Sequence, residues 1–375
     1  MSDKINIIHI ITSLTSGGAE GMLTRLVCQN SNKNIRNTVI CLTDKGIHGK
    51  TLKRNGIEVL TLDLKNFKNI FSSVNNLRKT LKCENPDIIV SWLYHADLIS
   101  IIFGKFIWAR KSSYFWNIRC SDIDLGNYSF ITRVVLYINR CLSHLPNGII
   151  TNSFAGRDFH KSFGYKNRNW VYIPNGIDTD KWYPDAQDRN QVRTNLNIRE
   201  SEIAICCVAR SDPQKDHKTL LDAFTRAHRI KHNLRLFLIG RHTENIAVPE
   251  ELSAHVTLLG ERSDTPLLLR GMDMSILSSA YGEGFPNVIG EALATGTYCI
   301  ASDVGDSARL LEKLGSIVPK EDPETMARAI IYASEKDDLR HDTAINERRS
   351  YILKNYTMDK IQSSYLALYE SVQHG

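Results

Sequence analysis

A disulfide framework, a metal cage and a membrane span are all missing from this sequence. Its eight cysteines, at positions 28, 41, 83, 120, 141, 206, 207 and 299, form no C-x-x-C pair and have no histidines at zinc-site spacing. Most lie in apolar runs, where a thiol acts as a small hydrophobe, so the expected setting is a reducing compartment, the cytoplasm. The opening MSDKINIIHIITS carries charges, then a short apolar run without a small-residue cleavage site, which suits a buried first strand better than a secretory leader. The longest apolar stretch, 88–108, is broken by His95, Asp97 and Lys105, so a span there would bury charge near its centre. Helix-turn-helix, zinc-finger and glycine-aromatic RNA-binding signatures are also missing, which sets nucleic acid aside. With 22 glycines and 10 prolines the chain lies outside the collagenous and disordered classes.

What is present is ordinary globular material: 375 residues, 42% hydrophobic and 23% charged, enough chain for two domains that need no staples. Charge is divided unevenly. Residues 1–180 hold 23 Lys and Arg against 13 Asp and Glu, and the remainder hold 24 against 28. A basic half of this kind fits an anionic membrane surface or a phosphorylated ligand.

Short apolar runs at 5–11, 38–42, 58–62, 87–91, 113–117 and 148–151 alternate with helical periodicity at 19–29, 67–81 and 128–142. A second series follows the polar stretch 183–201. It has strands at 203–209, 235–240, 256–259, 274–277, 298–302 and 316–318, and helices at 218–229, 287–294 and 323–334. The pattern predicts an α/β protein of two Rossmann-like domains in tandem, 1–180 and 181–357. The tail 358–375 is amphipathic, with Ile361, Tyr365, Leu368, Tyr369 and Val372 on one face, so it should dock. Ligands of such sheets bind beyond the carboxyl ends of the strands, and two facing sheets leave a cleft.

Three strand ends carry unusual chemistry. Thr15-Ser16-Gly17-Gly18-Ala19-Glu20 runs straight into a helix; it is either an anion-binding loop or a tight structural turn, and it matches neither G-x-G-x-x-G nor a P-loop. Arg210-Ser211-Asp212-Pro213-Gln214-Lys215 places two cations five residues apart, either a diphosphate clamp or a solvated basic loop. Gly282-Glu283-Gly284-Phe285-Pro286-Asn287-Val288-Ile289-Gly290-Glu291 follows a strand and opens a helix, so the amides of Gly284 to Val288 lie at a positive helix end.

The E-x7-E spacing of Glu283 and Glu291 resembles the family 4 retaining glycosyltransferases of the GT-B fold. So do the Arg210/Lys215 pair, the Gly17-Gly18 loop and Ile173-Pro174-Asn175-Gly176-Ile177-Asp178. These features cover nearly the whole chain in the family's order. The resemblance implies two domains facing across a cleft, with the C-terminal helix docking back toward the N-terminal domain. It also implies a donor site. There Glu283 contacts the sugar near the reacting centre, and Gly284, Phe285, Pro286, Asn287 and Val288 hold hydroxyls and phosphate. Glu291 would bind ribose, Arg210 and Lys215 would stabilise the leaving diphosphate, and Gly17 and Gly18 would approach it. A fixed Arg, Lys and helix end can stabilise that charge without a metal, so neither metal nor cofactor is expected. The two D-x-D triplets, Asp122-Ile123-Asp124 and Asp178-Thr179-Asp180, are read as structural.

The first domain is expected to hold the acceptor. Trp92-Leu93-Tyr94-His95 and Trp116-Asn117-Ile118-Arg119 each follow a strand and look like the acceptor loops of bacterial polysaccharide transferases. His95 is read as a donor-sugar contact, Trp92 and Asn117 as acceptor contacts, and Arg119 as meeting either an acceptor phosphate or Asp122. His9, inside the first strand, is read as buried structure. Arg262 falls in a loop resembling the family's base-binding loop, whereas 303–306 departs from the family pattern, with Ala308 and Arg309 nearby. Residues 102–111 mix aromatic and basic side chains, as either a membrane-surface contact or a helix packed on its own sheet.

The resulting expectation is a retaining, metal-independent hexosyltransferase in the cytoplasm or peripheral on the inner membrane face. Its donor is a nucleotide-diphosphate sugar, uridine favoured over guanosine. Its acceptor is a lipid-linked glycan, on undecaprenyl diphosphate, of O-antigen or capsule synthesis. The alternatives are a nucleotide-sugar epimerase of the same architecture and a non-catalytic sugar-nucleotide-binding subunit.

Overall fold

The computed structural model describes residues 4–15, 17–29, 34–64, 70–108, 111–121, 129–336 and 338–373. The chain divides into two compact units, Met1–Asn175 with Met358–Gly375, and Gly176–Thr357. The first contains β1 (Ile5–Ile11), β2 (Ile35–Cys41), β3 (Glu58–Thr61), β4 (Ile88–Trp92), β5 (Ser113–Ile118), β6 (Gly148–Thr151) and β7 (Trp170–Tyr172). The second contains β8 (Ile203–Val208), β9 (Leu234–Ile239), β10 (Val256–Gly260), β11 (Met274–Leu277), β12 (Tyr298–Ser302) and β13 (Gly315–Val318).

The sheet orders are β3-β2-β1-β4-β5-β6-β7 and β10-β9-β8-β11-β12-β13, and neighbouring strands run parallel. Strands buried on both faces need apolar residues at successive positions, and the sequence supplies them. In β1, Ile7 and Ile11 pack with Met22, Leu23 and Leu26 of helix Gly18–Cys28. Ile8 and Ile10 enter the opposite core with Leu77 and Leu81 of helix Ile70–Glu84. In β8, Ile205 and Cys207 face one core and Ala204 and Cys206 the other. The adjacent thiols Cys206 and Cys207 therefore point to opposite faces of the sheet, and burial pushes both up to about 12. The eight cysteines are free thiols.

Helix Met358–Gln373 belongs to the first unit, with Met358, Ile361, Tyr365 and Tyr369 in the core that also holds Ile7 and Trp92. Each large side chain buried there contributes roughly 1.5–3 kcal/mol, which explains why the tail docks. Residues 176–180, grouped by sequence with the first half, are held in the second unit. Ile177 N–H donates to Tyr356 O at 2.7 Å, and its side chain packs among Trp182, Phe285 and Ile289.

The polar stretch 183–201 is partly helical, Ala186–Asn195, rather than an open linker. Asp185 caps it by accepting the Asp188 N–H at 2.8 Å, and its arginines Arg189 and Arg193 reach Asp273 at 2.7 and 3.1 Å. Its anchor is a buried carboxylate, so a search for apolar periodicity passes over it. Ser100–Trp108, which holds most of the expected surface contact, is a π-helical segment folded largely against its own unit. Phe103 stacks on Trp108 at 5.3 Å and Lys105 lies over the Tyr114 ring at 5.5 Å. Ala109 and Arg110 lie outside the described residues, as do Asp122 and Asp124. Among the described residues no helix is long and apolar enough to cross a membrane.

Candidate active site

Each sheet reverses its strand order once, between β1 and β4 in the first unit and between β8 and β11 in the second. At such a switch point the loops leave in opposite directions and open a crevice at the carboxyl edge. The loops after these four strands carry Gly17 and Gly18, Trp92 to His95, Arg210 and Lys215, and Glu283.

In the second unit the geometry is tightly tied. After β8, Asp212 caps a short turn by accepting the Gln214 N–H at 2.9 Å, which directs Lys215 inward. Lys215 Nζ donates to Glu283 Oε1, and Ser279 Oγ donates to the same oxygen at 2.6 Å. The segment after β11 is stitched to that turn by Ala280 N–H to Gln214 O at 2.9 Å and Ser278 Oγ to Lys215 O at 2.7 Å. Lys215 and Glu283 are mostly enclosed, whereas the Arg210 side chain is 46% exposed. Arg210 is steadied by Asp212 at 3.1 Å and Gln214 at 3.3 Å.

Gly305 supports Glu283 from behind. It has φ of +65°, and a Cβ there would lie 2.2 Å from Glu283 O and 2.7 Å from Gly284 O. Asp306 N–H donates to Gly284 O at 3.0 Å. The 303–306 loop thus buttresses the Glu283–Gly284 backbone. Beyond it Pro286 precedes helix Asn287–Ala294, whose positive end points back toward this loop. Phe285 is buried, its ring 5.3 Å from Tyr356, so only its backbone faces the loop; Asn287, Val288 and Glu291 are half-buried. Arg262 is held in a fork by Asp264, at 2.8 and 2.6 Å, which raises the pKa of the guanidinium and lowers that of the carboxyl. Asp178 closes a turn, accepting the Lys181 N–H at 3.2 Å.

In the first unit Gly17 is extended backbone ahead of helix Gly18–Cys28. A Cβ on it would lie 2.3 Å from Glu20 Oε2, so the small residue makes room for a carboxylate in the first helical turn. Burial raises the Glu20 pKa, and Ser13 Oγ donates to it at 3.3 Å. An anion at Gly18 would meet that carboxyl group. His95 is half-buried, and burial lowers its pKa, so it is neutral at pH 7. The residue before its helix, Leu93, has φ of +73°, a strained backbone for a branched side chain.

The acceptor assignment of Trp92 and Asn117 is corrected by their surroundings. Both are fully enclosed. Trp92 stacks on Tyr365 at 6.5 Å and donates from Nε1 to His9 Nδ1 at 3.3 Å, and Asn117 Nδ2 donates to Tyr365 OH at 2.9 Å. Arg119 lies over the Trp92 ring at 4.6 Å and donates to Asn175 Oδ1 at 2.5 Å and to Tyr365 OH. Docking of the last helix turns this trio into its socket. His9 is buried structure, its pKa lowered to about 4. The residues missed by sequence reading are Ser279, Gln214 and Gly305, and the only signal for them was proximity in sequence to Glu283, Lys215 and the departure at 303–306. Among the described residues no three His, Cys, Asp or Glu converge in a metal-binding cluster.

Two tandem parallel sheets, each with one reversal of strand order, are the architecture of the GT-B fold. HepE of Anabaena, solved in complex with UDP, shares that fold with a TM-score of 0.83 at 20% identity, over 98% of this chain and 100% of that one. Glycosyltransferase Family 4 matches residues 16–181, and Glycosyl transferases group 1 matches 188–350. The chain belongs to these family 4 glycosyltransferases. It is 26% identical over 212 residues to a phosphatidyl-myo-inositol mannosyltransferase of Mycobacterium tuberculosis, over 54% of each chain. It is 27% identical over 210 residues to the UDP-Gal:alpha-D-GlcNAc-diphosphoundecaprenol alpha-1,3-galactosyltransferase of Escherichia coli, over 52% of this chain and 53% of that one. The chain spans about half the length of these curated relatives.

Proposed function

We propose that this glycosyltransferase moves a hexose or N-acetylhexosamine from a uridine-diphosphate sugar to a hydroxyl of a lipid-linked glycan in surface polysaccharide synthesis. The transfer retains anomeric configuration and requires no metal. The observation that carries the reading is the convergence of Lys215 and Ser279 on one oxygen of Glu283 beside the exposed Arg210. The relative with UDP bound supports the nucleotide, and the diphosphoundecaprenol acceptor of the Escherichia coli relative supports the lipid link.

Lys215 is paired with Glu283, so neither charge is buried bare. An incoming diphosphate competes for Lys215 and meets the planar fork of Arg210, while Ser279 keeps Glu283 aimed at the sugar. The bond from C1 to the β-phosphate oxygen breaks with its electron pair leaving on the diphosphate. The acceptor oxygen bonds C1 on the same face, and its proton passes to the departing phosphate. Arg210, Lys215 and the amides opening helix Asn287–Ala294 stabilise the charge that develops. Glu291 is assigned to the ribose, and neutral His95 to a hydrogen bond with the sugar.

Calorimetric titration with UDP, GDP and ADP, with and without chelator, tests the reading. UDP should bind whether or not chelator is present. Lys215→Ala should weaken UDP binding and cut transfer by about 10²–10³-fold, the usual cost of one charge-stabilising donor. Ser279→Ala should lower kcat more than it raises KM. No binding of any nucleotide, or full transfer by Lys215→Ala, would overturn it, and sugar release or isomerisation without acceptor would mark an epimerase.

A further inference from the structure

Eleven large apolar side chains are exposed among the described residues, and five of them lie on helix Phe130–Leu142: Phe130, Ile131, Val134, Tyr137 and Ile138. At about 100° per residue they fall within an arc of roughly 120°. The arc is exposed because the helix's other face is already engaged. Val135 and Leu136 pack on Tyr94, and buried Asn139 donates from Nδ2 to Tyr94 O at 2.8 Å. Ser129 caps the helix by accepting the Thr132 N–H at 3.3 Å, which fixes where it begins. Phe130 and Ile131 are 75% and 67% exposed at that end.

The charged side chains on this helix have one sign. Arg133 and Arg140, both exposed, flank the apolar arc on one side. From residue 125 to 157 the sequence has no Asp or Glu. We propose that helix Phe130–Leu142 is a membrane-docking face, which seats its apolar arc among the acyl chains of an anionic bilayer while Arg133 and Arg140 meet lipid phosphates. A second copy of the chain fits less well, because a two-fold dimer through one short helix would bring like charges together. It would also bury little of the roughly 800 Å² per partner that a stable interface uses. This places the contact on a different helix from the stretch 102–111, where the exposed large apolar side chains among the described residues are Phe106 and Ile107.

The inference deepens the reading of a lipid-linked acceptor and rests on it for its purpose, but its test uses no nucleotide, so the two fail separately. The full chain is floated with vesicles of phosphatidylethanolamine and phosphatidylglycerol, and in parallel with phosphatidylcholine alone. The wild type should float with the anionic vesicles only. Phe130→Ser with Ile131→Ser should lower that partition at least ~10-fold, with an unchanged melting temperature and unchanged UDP binding, since both side chains face outward. Arg133→Ala with Arg140→Ala should lower it by a similar factor at low salt and much less at high salt. A wild type that stays unbound, a Ser double variant that floats like the wild type, or a dimer that the Ser double variant dissociates would each overturn the proposal.

Discussion

The two units build similar parallel sheets around interiors of different character. In the second, buried charge is cross-linked: Asp273 receives Arg189 and Arg193, lies 3.3 Å from Arg340 Nε, and accepts the Ala204 N–H at 2.7 Å. In the first, more enclosed polar atoms have no hydrogen-bond partner among the described residues, including Asp97 Oδ2, Trp116 Nε1, Asn117 Oδ1, Asn139 Oδ1 and Tyr165 OH, against His228 Nε2, Arg235 Nε, Ser302 Oγ and Arg340 Nε in the second. Each such atom costs on the order of 1–3 kcal/mol of desolvation. The contrast matches the chemistry proposed for each half. A diphosphate is a constant ligand and rewards a fixed cage, whereas the unit assigned to the acceptor retains costly buried polar groups and is the one that should yield first.

The strongest way to break the comparison is to remove the linchpin of the second unit. Asp273→Ala leaves three arginines around a missing carboxylate and should destabilise that unit by about 3–5 kcal/mol, read as an earlier urea transition. If this variant lowered the first unit's transition instead, the division into separate interiors would be wrong.

Acid should act in the opposite direction, on the first unit. His9 and His160 have folded pKa values of about 4, from burial, against an ordinary 6.5. Between pH 6.5 and about 4 the unfolded chain binds more protons, so the stability these groups confer is complete above pH 6.5 and falls as pH drops. Each histidine contributes about 3 kcal/mol over that window, partly offset by buried Asp97, whose raised pKa has the reverse sign. His160→Gln should flatten the pH slope of unfolding free energy by about 1.4 kcal/mol per unit, and an unchanged slope would remove His160 from the account.

The smallest expected effect sharpens the contrast at the helix starts. Burial holds Glu20 above the ordinary carboxyl range, so its ionised form costs stability at pH 7, and the cost disappears as pH falls through the raised value. Glu20→Gln should therefore raise the melting temperature slightly at pH 7 and make no difference in acid. A lower melting temperature at pH 7 would show that the carboxylate supports the helix start instead.

Much of the architecture could be read without coordinates because it is written locally. Helices Asn287–Ala294 and Pro323–Ser334 and strand Met274–Leu277 run where apolar periodicity, Pro and Gly place them. β7 and helix Ala186–Asn195 escaped, the first too short for its alternation to stand out, the second held by arginines rather than by an apolar face. The constellation around Glu283 was readable as a set of residues but not as a geometry. Nothing near Lys215 indicates that its partner is Glu283, and nothing near Glu283 indicates Ser279.

The amino-acid sequence by itself determined the tandem parallel sheets, the amphipathic last helix and the strand ends that carry chemistry, because burial on one element imprints a period on that element. Only the tertiary structure decided that Lys215 and Ser279 share one oxygen of Glu283. It alone decided that Trp92, Asn117 and Arg119 close around Tyr365 rather than face a ligand, and that helix Phe130–Leu142 turns five apolar side chains outward. These outcomes depend on which strands become neighbours and where distant helices dock, and such pairings are set by packing across the whole unit, which leaves no periodic trace in the chain.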